Sequence, residues 1–285
     1  MRLAWRAMLC VPGDRLDRVA KAGDRGADAV VLDLEDGVAS PDGKQAARGA
    51  LAQTVPALIQ AGRDVLVRIN APWLMAVEDI DAAIASGACA LVAPKVETTA
   101  RLTALVEIVD ECAARHGRRP GGVELLALIE SPAALPLLGD IARHPRVCGL
   151  ALGPEDFSLG LGVAPTPDSL DLPCRMLALA AAGAGKAAYG LPISIGVFRD
   201  IAAYRSAAHA ARSYGVTGAI AIHPAQVQVL NEVFQPSPAE QVAARRILEA
   251  WDAAQAQQRS VTALDGEMID LPVAMRARRV LAGVS

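Results

Sequence analysis

Short aliphatic runs recur along this chain, each about one strand-plus-helix unit after the last, and most of them carry a charged or polar residue in their last two positions. They cover residues 8–12, 29–34, 65–70, 90–96, 124–130, 147–152, 191–197 and 218–224, and the stretches between them read as helices. Continuous apolar, β-branched runs are the pattern of parallel strands buried on both faces. Eight of them alternating with helices predict an α/β fold, a (β/α)8 TIM barrel. Residues 1–235 are expected to form the barrel and residues 236–285 a C-terminal helical extension. A doubly wound open sheet is the architectural rival, but no G-x-G-x-x-G follows the first run and no P-loop occurs. The seventh run is the weakest, because Pro192 and Gly196 interrupt it.

Composition narrows the partners. The chain has 285 residues, of which 53% are hydrophobic and only 3% aromatic, so its core is aliphatic. The net charge of −3 is spread without a basic block, which argues against nucleic acid. No apolar run reaches membrane-spanning length, and the N-terminal run meets Pro12-Gly13-Asp14 too early for a signal peptide. The five cysteines are odd in number and far apart, with no CxxC, as expected of reduced thiols in a cytoplasmic protein.

In such barrels the reacting groups sit at the C-terminal ends of the strands. Here those ends carry Asp33 and Glu35, Arg68 and Asn70, Lys95 and Glu97, Glu130, Glu155 and Asp156, and His223. In the run 29–38, period-two alternation puts Asp33 and Glu35 on one face and Asp36 on the other. Ionised carboxylates repel and resist burial, so a cation or a set of donors is expected beside them. Taken singly, each residue also has a bland reading: a surface pair for Arg68, a snorkelling Lys95, a turn histidine at His223, a helix cap at Glu130. Their coincidence on one rim of an aliphatic barrel is harder to explain that way. Several carboxylates around one basin suit a hard cation, and Mg²⁺ takes one or two carboxylates with waters and substrate oxygens. Without a Cys/His cluster zinc is disfavoured. An arginine beside them suits a substrate carboxylate or a developing oxyanion. No Ser-His-Asp or Cys-His constellation is evident, and a Schiff base at Lys95 is disfavoured because neighbouring carboxylates keep the amine protonated.

The motifs Val11-Pro12-Gly13-Asp14-Arg15, Leu32-Asp33-Leu34-Glu35-Asp36, Val67-Arg68-Ile69-Asn70, Pro94-Lys95-Val96-Glu97, Ile129-Glu130-Ser131, Gly153-Pro154-Glu155-Asp156 and Ile222-His223-Pro224 run in order through almost the whole chain. They resemble the citrate lyase β-subunit-like branch of the HpcH/HpaI aldolase superfamily, and Leu264-Asp265-Gly266-Glu267-Met268-Ile269-Asp270 resembles that family's lid. The resemblance implies a Mg²⁺-dependent lyase that cleaves a carbon–carbon bond in a 3-hydroxyacyl thioester of the citryl-, malyl- or citramalyl-CoA type, or runs the reverse condensation. It implies Glu130 and Asp156 as metal ligands, Arg68 as the catalytic arginine, and Asp33 and Glu35 shaping the catalytic site. Arg15, Lys95, Asn70, Gly153, Pro154 and Glu155 fall in motifs expected to bind substrate together with Arg68. The lid aspartate, Asp265, is implied as a proton-transfer group acting on a neighbouring subunit of a homotrimer or hexamer. The thioester partner would be coenzyme A or an acyl-carrier group.

The chain also departs from the family pattern. Where relatives place an aspartate after strand seven, this sequence has Ile195, followed by Gly196-Val197-Phe198 and a shorter loop to Asp200. The acyl and thioester contacts are therefore left open. Three rivals remain. A CoA-independent oxoacid aldolase is disfavoured, because its relatives use a histidine on an early strand and His116, His144, His209 and His223 all lie later. A malyl-CoA-type thioesterase needs only water at the same polarised group. A non-catalytic binding paralogue is disfavoured by the intact acid set.

Overall fold

The computed structural model describes residues 5–283. One compact unit extends to Glu232, and a second runs from Val233 onward. In the first, eight strands form one parallel sheet: β1 (Ala7–Pro12), β2 (Ala29–Asp33), β3 (Asp64–Arg68), β4 (Ala90–Ala93), β5 (Glu124–Ile129), β6 (Val147–Leu152), β7 (Ala187–Tyr189) and β8 (Ala219–Ala221). Their order is β7-β6-β5-β4-β3-β2-β1-β8. A parallel bridge between Tyr189 and Gly218, and a 3.0 Å bond from Gly190 N–H to the Gly218 carbonyl, join the two ends into a TIM barrel.

The helices follow their strands: α1 (Leu16–Ala22), α2 (Pro41–Gln60), α3 (Trp73–Ser86), α4 (Thr99–Arg115), α5 (Leu138–Arg143), α6 (Pro154–Leu161), α7 (Pro167–Gly183), α8 (Ile201–Tyr214) and α9 (Pro224–Phe234). A 3-10 segment, Pro132–Leu137, precedes α5. Local chemistry sets several starts. Ser40 accepts from Gly43 N–H with Pro41 at the first position of α2, and Thr98 accepts from Arg101 N–H to open α4.

Inside the barrel, alternate strand residues make one aliphatic cluster that includes Met8, Ala29, Val31, Leu66, Val92, Leu126, Leu128, Ala151 and Tyr189. Trp5 stacks on Tyr189 with ring centroids 6.2 Å apart and donates its indole N–H to Asp64 at 2.8 Å. The intervening residues, such as Val30, Leu32, Val67 and Leu91, are fully buried as well. Both faces of the sheet are thus dry, which is why the strands read as unbroken apolar runs.

The seventh strand differs from the expectation. It is Ala187–Tyr189, not residues 191–197. Gly190 takes φ 130°, a conformation open to glycine, and a Cβ there would lie 2.8 Å from Leu152 Cβ, so the chain turns off the sheet at that point. The apolar residues after it become a loop over the barrel mouth. Two helices also begin earlier than their sequence patterns indicate, α3 at Trp73 and α7 at Pro167, and α9 was not anticipated.

The second unit has its own small core, built on Trp251, Ile269 and Ala274. It contains α10 (Pro238–Ala256), an antiparallel hairpin of β9 (Thr262–Leu264) and β10 (Glu267–Ile269), and α11 (Leu271–Ala282). Ser237 and Glu240 form a reciprocal capping box at the start of α10. The extension is therefore not wholly helical: the turn at Asp265-Gly266 closes a hairpin.

Candidate active site

The inward-facing positions of the barrel change character at its C-terminal end. Two residues beyond Val31 stands Asp33, beyond Leu66 stands Arg68, beyond Leu128 stands Glu130 and beyond Ala151 stands Gly153. Period two along each strand carries these side chains to one ring above the aliphatic plug.

On the β2–β3 side, Asp33 and Arg68 are register partners on adjacent strands. The guanidinium forks onto Asp33, with Nε to Oδ1 at 2.8 Å and Nη2 to Oδ2 at 2.6 Å. Asp33 also accepts from the backbone N–H groups of Glu35 and Gly37, each at 2.8 Å, so its acceptor positions are filled. Gly37 has to be glycine, because a Cβ would lie 2.3 Å from Asp33 Oδ2. Arg68 Nη1 lies 3.3 Å from Glu35 Oε2 and 3.8 Å from Asp36 Oδ2. The strand ends at Asp33, so the expected alternation does not reach Asp36, which turns toward the same arginine instead of the opposite face. Burial works against the Arg68 charge, but the Asp33 hydrogen bonds outweigh it and hold its pKa above the ordinary value. Burial pushes Glu35 up to about 8 against the pull of Arg68, and its Oε2 has no hydrogen-bond partner among the described residues.

Behind this pair lies a polar layer. Lys44 on α2 donates to the carbonyls of Leu34 (3.0 Å) and Glu35 (2.6 Å) and to Asn70 Oδ1 (2.6 Å). Asn70 donates to Leu34 O at 2.8 Å and to Asp79 at 2.7 Å, and Arg48 closes the chain on Asp79 at 2.9 Å. Asn70, expected at the substrate, is spent holding the loop that carries Glu35. Cys10 also faces the ring, but burial, with Asp33 next, pushes its thiol up to about 12, so it is no nucleophile at neutral pH.

The β5–β6 side is built differently. Glu130 is 7% exposed and its Oε2 accepts from Lys95 N–H at 2.8 Å. Lys95 reaches that position with φ 53°, a left-handed conformation unusual for a lysine. Gly153 leaves room for the carboxylate, since a Cβ there would approach Glu130 Cγ to 2.5 Å. Burial pushes Glu130 up to about 7, with Asp156 adding to the rise. Asp156 sits in the first turn of α6, with Lys95 Nζ 3.5 Å from its Oδ2. Burial tends to lower the Lys95 pKa, but the carboxylates around it, Asp156 first, raise it overall and keep the amine charged.

Loops after β7 and β8 complete the mouth. Glu155 Oε1 accepts from Ser194 Oγ at 2.6 Å and Ile195 N–H at 3.0 Å, so this carboxylate is a loop anchor. Gln226, wholly buried, accepts from Ile222 and His223 N–H and donates to the carbonyls of Ile195 (2.8 Å) and Val197 (3.1 Å). His223 stacks on Phe198 with centroids 5.1 Å apart.

Two hollows meet at the acid pair. A cavity of about 270 Å³ descends into the barrel, walled by Arg68, Glu130, Asp156, Gly153 and Pro154 at its charged end, which Asp36 and Glu155 also reach, and elsewhere by aliphatic residues with Tyr189 and Tyr204. An outer cleft of similar volume is lined by Lys95, Glu97, Ser131, Leu159 and Gly160 on the other side of Glu130 and Asp156. Two expected site residues are paired with neighbours in their own unit. Arg15 is exposed and lies 3.3 Å from Asp17. Asp265 belongs to the C-terminal unit, with φ 55° in its hairpin turn and both carboxylate oxygens paired to Arg246 at 3.0 and 2.9 Å.

Among the described residues no group of three or more His, Cys, Asp or Glu side chains is placed to hold a metal. The expected larger carboxylate basin resolves into assigned parts: Asp33 and Glu35 answer Arg68, Glu155 answers the β7 loop, and Glu130 with Asp156 remain. Two hard oxygen donors that repel one another across a cavity wall still suit Mg²⁺, which needs only one or two carboxylates. Lys44, Asp79 and Gln226 were missed by the sequence reading. Only the apolar surroundings of Gln226 and the position of Asp79 on a buried helix face could have signalled them.

A TIM barrel with an acid–arginine rim defines a class of barrel enzyme sites, and comparison narrows it. The family described as HpcH/HpaI aldolase/citrate lyase matches residues 6–224, and the chain belongs to that family. A (3S)-malyl-CoA thioesterase of Cereibacter sphaeroides is 33% identical over 98% of this chain and 94% of its own length. The citrate lyase β subunit of Escherichia coli is 33% identical over 97% and 92%. The crystal structure of CitE from Mycobacterium tuberculosis in complex with magnesium, acetoacetate and coenzyme A superposes with a TM-score of 0.77 at 28% identity, covering 99% of both chains. A citrate lyase β subunit from the same organism, complexed with oxaloacetate and magnesium, gives 0.67 at 27% identity over 83% of this chain and all of the other.

Proposed function

We propose that the chain is a Mg²⁺-dependent lyase acting on a 3-hydroxyacyl-CoA thioester of the citryl, malyl or citramalyl type, releasing an acyl-CoA and a 2-oxoacid. The observation that carries this reading is the Glu130–Asp156 pair, which lines both the inner cavity and the outer cleft and has Arg68 beside it on the cavity side. A substrate with two halves joined at the scissile bond fits that division. The relatives that bind magnesium with an oxoacid, and with coenzyme A, support it.

Glu130 and Asp156 would hold the cation, which when bound polarises the hydroxyl and carboxylate of the hydroxyacid half. Asp33 fixes the plane of the Arg68 guanidinium through its two-pronged bond, leaving Nη1 as the donor edge outside that fork. Cleavage breaks the carbon–carbon bond, turns the hydroxyl carbon into the 2-carbonyl of the oxoacid, and leaves the electron pair on the thioester as an enolate, whose carbon then takes up a proton to give the acyl-CoA. Arg68 Nη1 stabilises the negative oxygen that develops there. Glu35 backs that edge from the other side. Lys95 keeps Glu130 oriented through its backbone N–H and Asp156 through its amine. Asp265 takes the hydroxyl proton, acting from the C-terminal unit of a neighbouring subunit in a homo-oligomer.

Hydrolysis of the thioester at the same site is the second reading, favoured by the thioesterase relative. A screen of malyl-, citramalyl- and citryl-CoA, with Mg²⁺ and with chelator, separates them: lyase action yields a 2-oxoacid and acyl-CoA, hydrolysis yields free thiol. No product from any ester with Mg²⁺ present would overturn both. Calorimetry of Glu130→Gln and Asp156→Asn should show Mg²⁺ binding abolished or strongly weakened, because an amide keeps the shape but not the charge. Subunit mixing tests Asp265: inactive Asp265→Asn and inactive Glu130→Gln should regain partial activity together, and no recovery after verified exchange rules out the role in trans.

A further inference from the structure

We propose that the aliphatic side of the inner cavity is a specificity pocket for an uncharged substituent on the oxoacid half of the substrate, with the Tyr204 hydroxyl donating to an oxygen of that substituent. The proposal rests on the lyase reading above and deepens it: it sets aside the citryl type, whose oxoacid half carries a second carboxylate, and extends the malyl and citramalyl types to a longer neutral substituent.

Two independent observations meet here. The first is the wall. Leu152, Leu191, Ile193, Ile195, Ile220 and Ile222 line the cavity away from its charged end. The loop bearing Ile193 and Ile195 is pinned on both sides, by Glu155 at the Ile195 N–H and by Gln226 at the Ile195 carbonyl, so the aliphatic face is a built surface. The ionic groups that reach the cavity are Asp36, Glu130, Glu155, Asp156 and one cation, Arg68, which is already forked on Asp33. A second carboxylate on the substrate would lose its hydration against aliphatic side chains, find no free cation among the lining residues and meet an excess of negative charge.

The second observation is Tyr204. It lies on α8, is one of the residues lining the same cavity, and is 1% exposed. Its hydroxyl is buried and, among the described residues, has no hydrogen-bond partner. A phenylalanine would fill that volume without stranding a donor, so the hydroxyl has a use only when an acceptor arrives. Burial raises its ionisation well above the ordinary phenol value, so it stays a neutral donor. One neutral donor does not repay the hydration a carboxylate loses in an aliphatic wall, but it does satisfy a neutral oxygen; a site built to hydrogen-bond a group discriminates against the analogue lacking it more sharply than an apolar wall discriminates by size.

The test is calorimetry of four 2-oxoacids in Mg²⁺ buffer, on the wild type and on Tyr204→Phe: pyruvate, 2-oxohexanoate, its ether isostere 4-methoxy-2-oxobutanoate, and 2-oxoglutarate with a charged tail. The wild type should bind both neutral long acids at least about tenfold more tightly than 2-oxoglutarate. Tyr204→Phe should weaken the ether acid about five- to tenfold while leaving pyruvate and 2-oxohexanoate within about twofold. The melting temperature of the ligand-free variant should match or exceed that of the wild type. Binding of 2-oxoglutarate as tight as that of 2-oxohexanoate, or a Tyr204→Phe effect that is equal on all four acids or absent, overturns the proposal while pyruvate binding leaves the lyase reading standing. Failure of pyruvate and all three others to bind overturns both. The wild-type series decides the pocket even if the variant does not fold.

Discussion

On the β2–β3 side of the rim the central charges have counterparts. Arg68 is forked on Asp33, Asp33 takes two further backbone donors, and Lys44 and Asn70 tie down the loop behind them. On the β5–β6 side Glu130 has one backbone donor, stands near a second carboxylate, and is pushed up to about 7 by burial. Asp33, Arg68 and Glu130 occupy the same ring of inward positions at the ends of the strands, and both carboxylates are buried there, while Asp156 joins Glu130 from the first turn of α6. The difference is between charge used to fix geometry and charge left over for a ligand. A saturated pair such as Asp33–Arg68 holds a donor in place, and an under-compensated pair such as Glu130–Asp156 is where a cation gains most.

If that contrast is right, the largest effect falls on stability at the saturated side. Asp33→Asn removes the charge that Arg68 is buried against and turns an amide toward donors. Stranding a buried guanidinium costs about 3–5 kcal/mol, read as a lowered midpoint in urea unfolding. A loss under about 1 kcal/mol would show that Arg68 finds Glu35 and Asp36 sufficient, and the saturation would then have no structural role.

Arg68→Lys sharpens the comparison from the chemical side. An ammonium satisfies part of Asp33 but cannot present the fixed donor edge, so the protein should fold and lose about 10²–10³ in turnover. A loss confined to KM, with kcat intact, would make Arg68 a holder of the substrate carboxylate.

The two sides were also unequally legible in the sequence. The strand-end acids and the arginine are visible because the buried runs are apolar up to their last residue, so Asp33, Arg68 and Glu130 stand out at once. Their division of labour is not visible. It depends on Asp33 and Arg68 being register partners, and no spacing along the chain encodes that. Lys44 and Asp79 sit on α2 and α3, 26 and 9 residues from the Asn70 they serve, and look like ordinary helix residues. Strand seven was misplaced because an apolar run usually marks a strand, whereas residues 191–197 are apolar because they wall a cavity. The clamp on that loop, Gln226, offers a third measurement. Gln226→Leu removes two acceptances and two donations that hold the β7 and β8 loops together, at a cost of about 1–3 kcal/mol in the same unfolding assay. An unchanged midpoint would mean that the loops are held by Glu155 alone.

The smallest expected effect is the most telling for the contrast. Glu130→Gln keeps the side chain's volume in the space that Gly153 leaves, and the amide oxygen can still accept from Lys95 N–H. What it removes is a charge that burial and Asp156 both oppose. In chelator, where no added cation compensates that charge, the variant should therefore be as stable as the wild type or more stable, by up to about 1 kcal/mol, since burying a charge without full pairing is costly. With Mg²⁺ added, the wild type should gain stability as binding shifts its folding equilibrium, while the variant should gain little. The order of the two proteins then reverses between chelator and Mg²⁺. If Glu130→Gln instead loses as much as Asp33→Asn in chelator, Glu130 is a structural anchor like Asp33, and the β5–β6 side has no surplus charge to offer a cation.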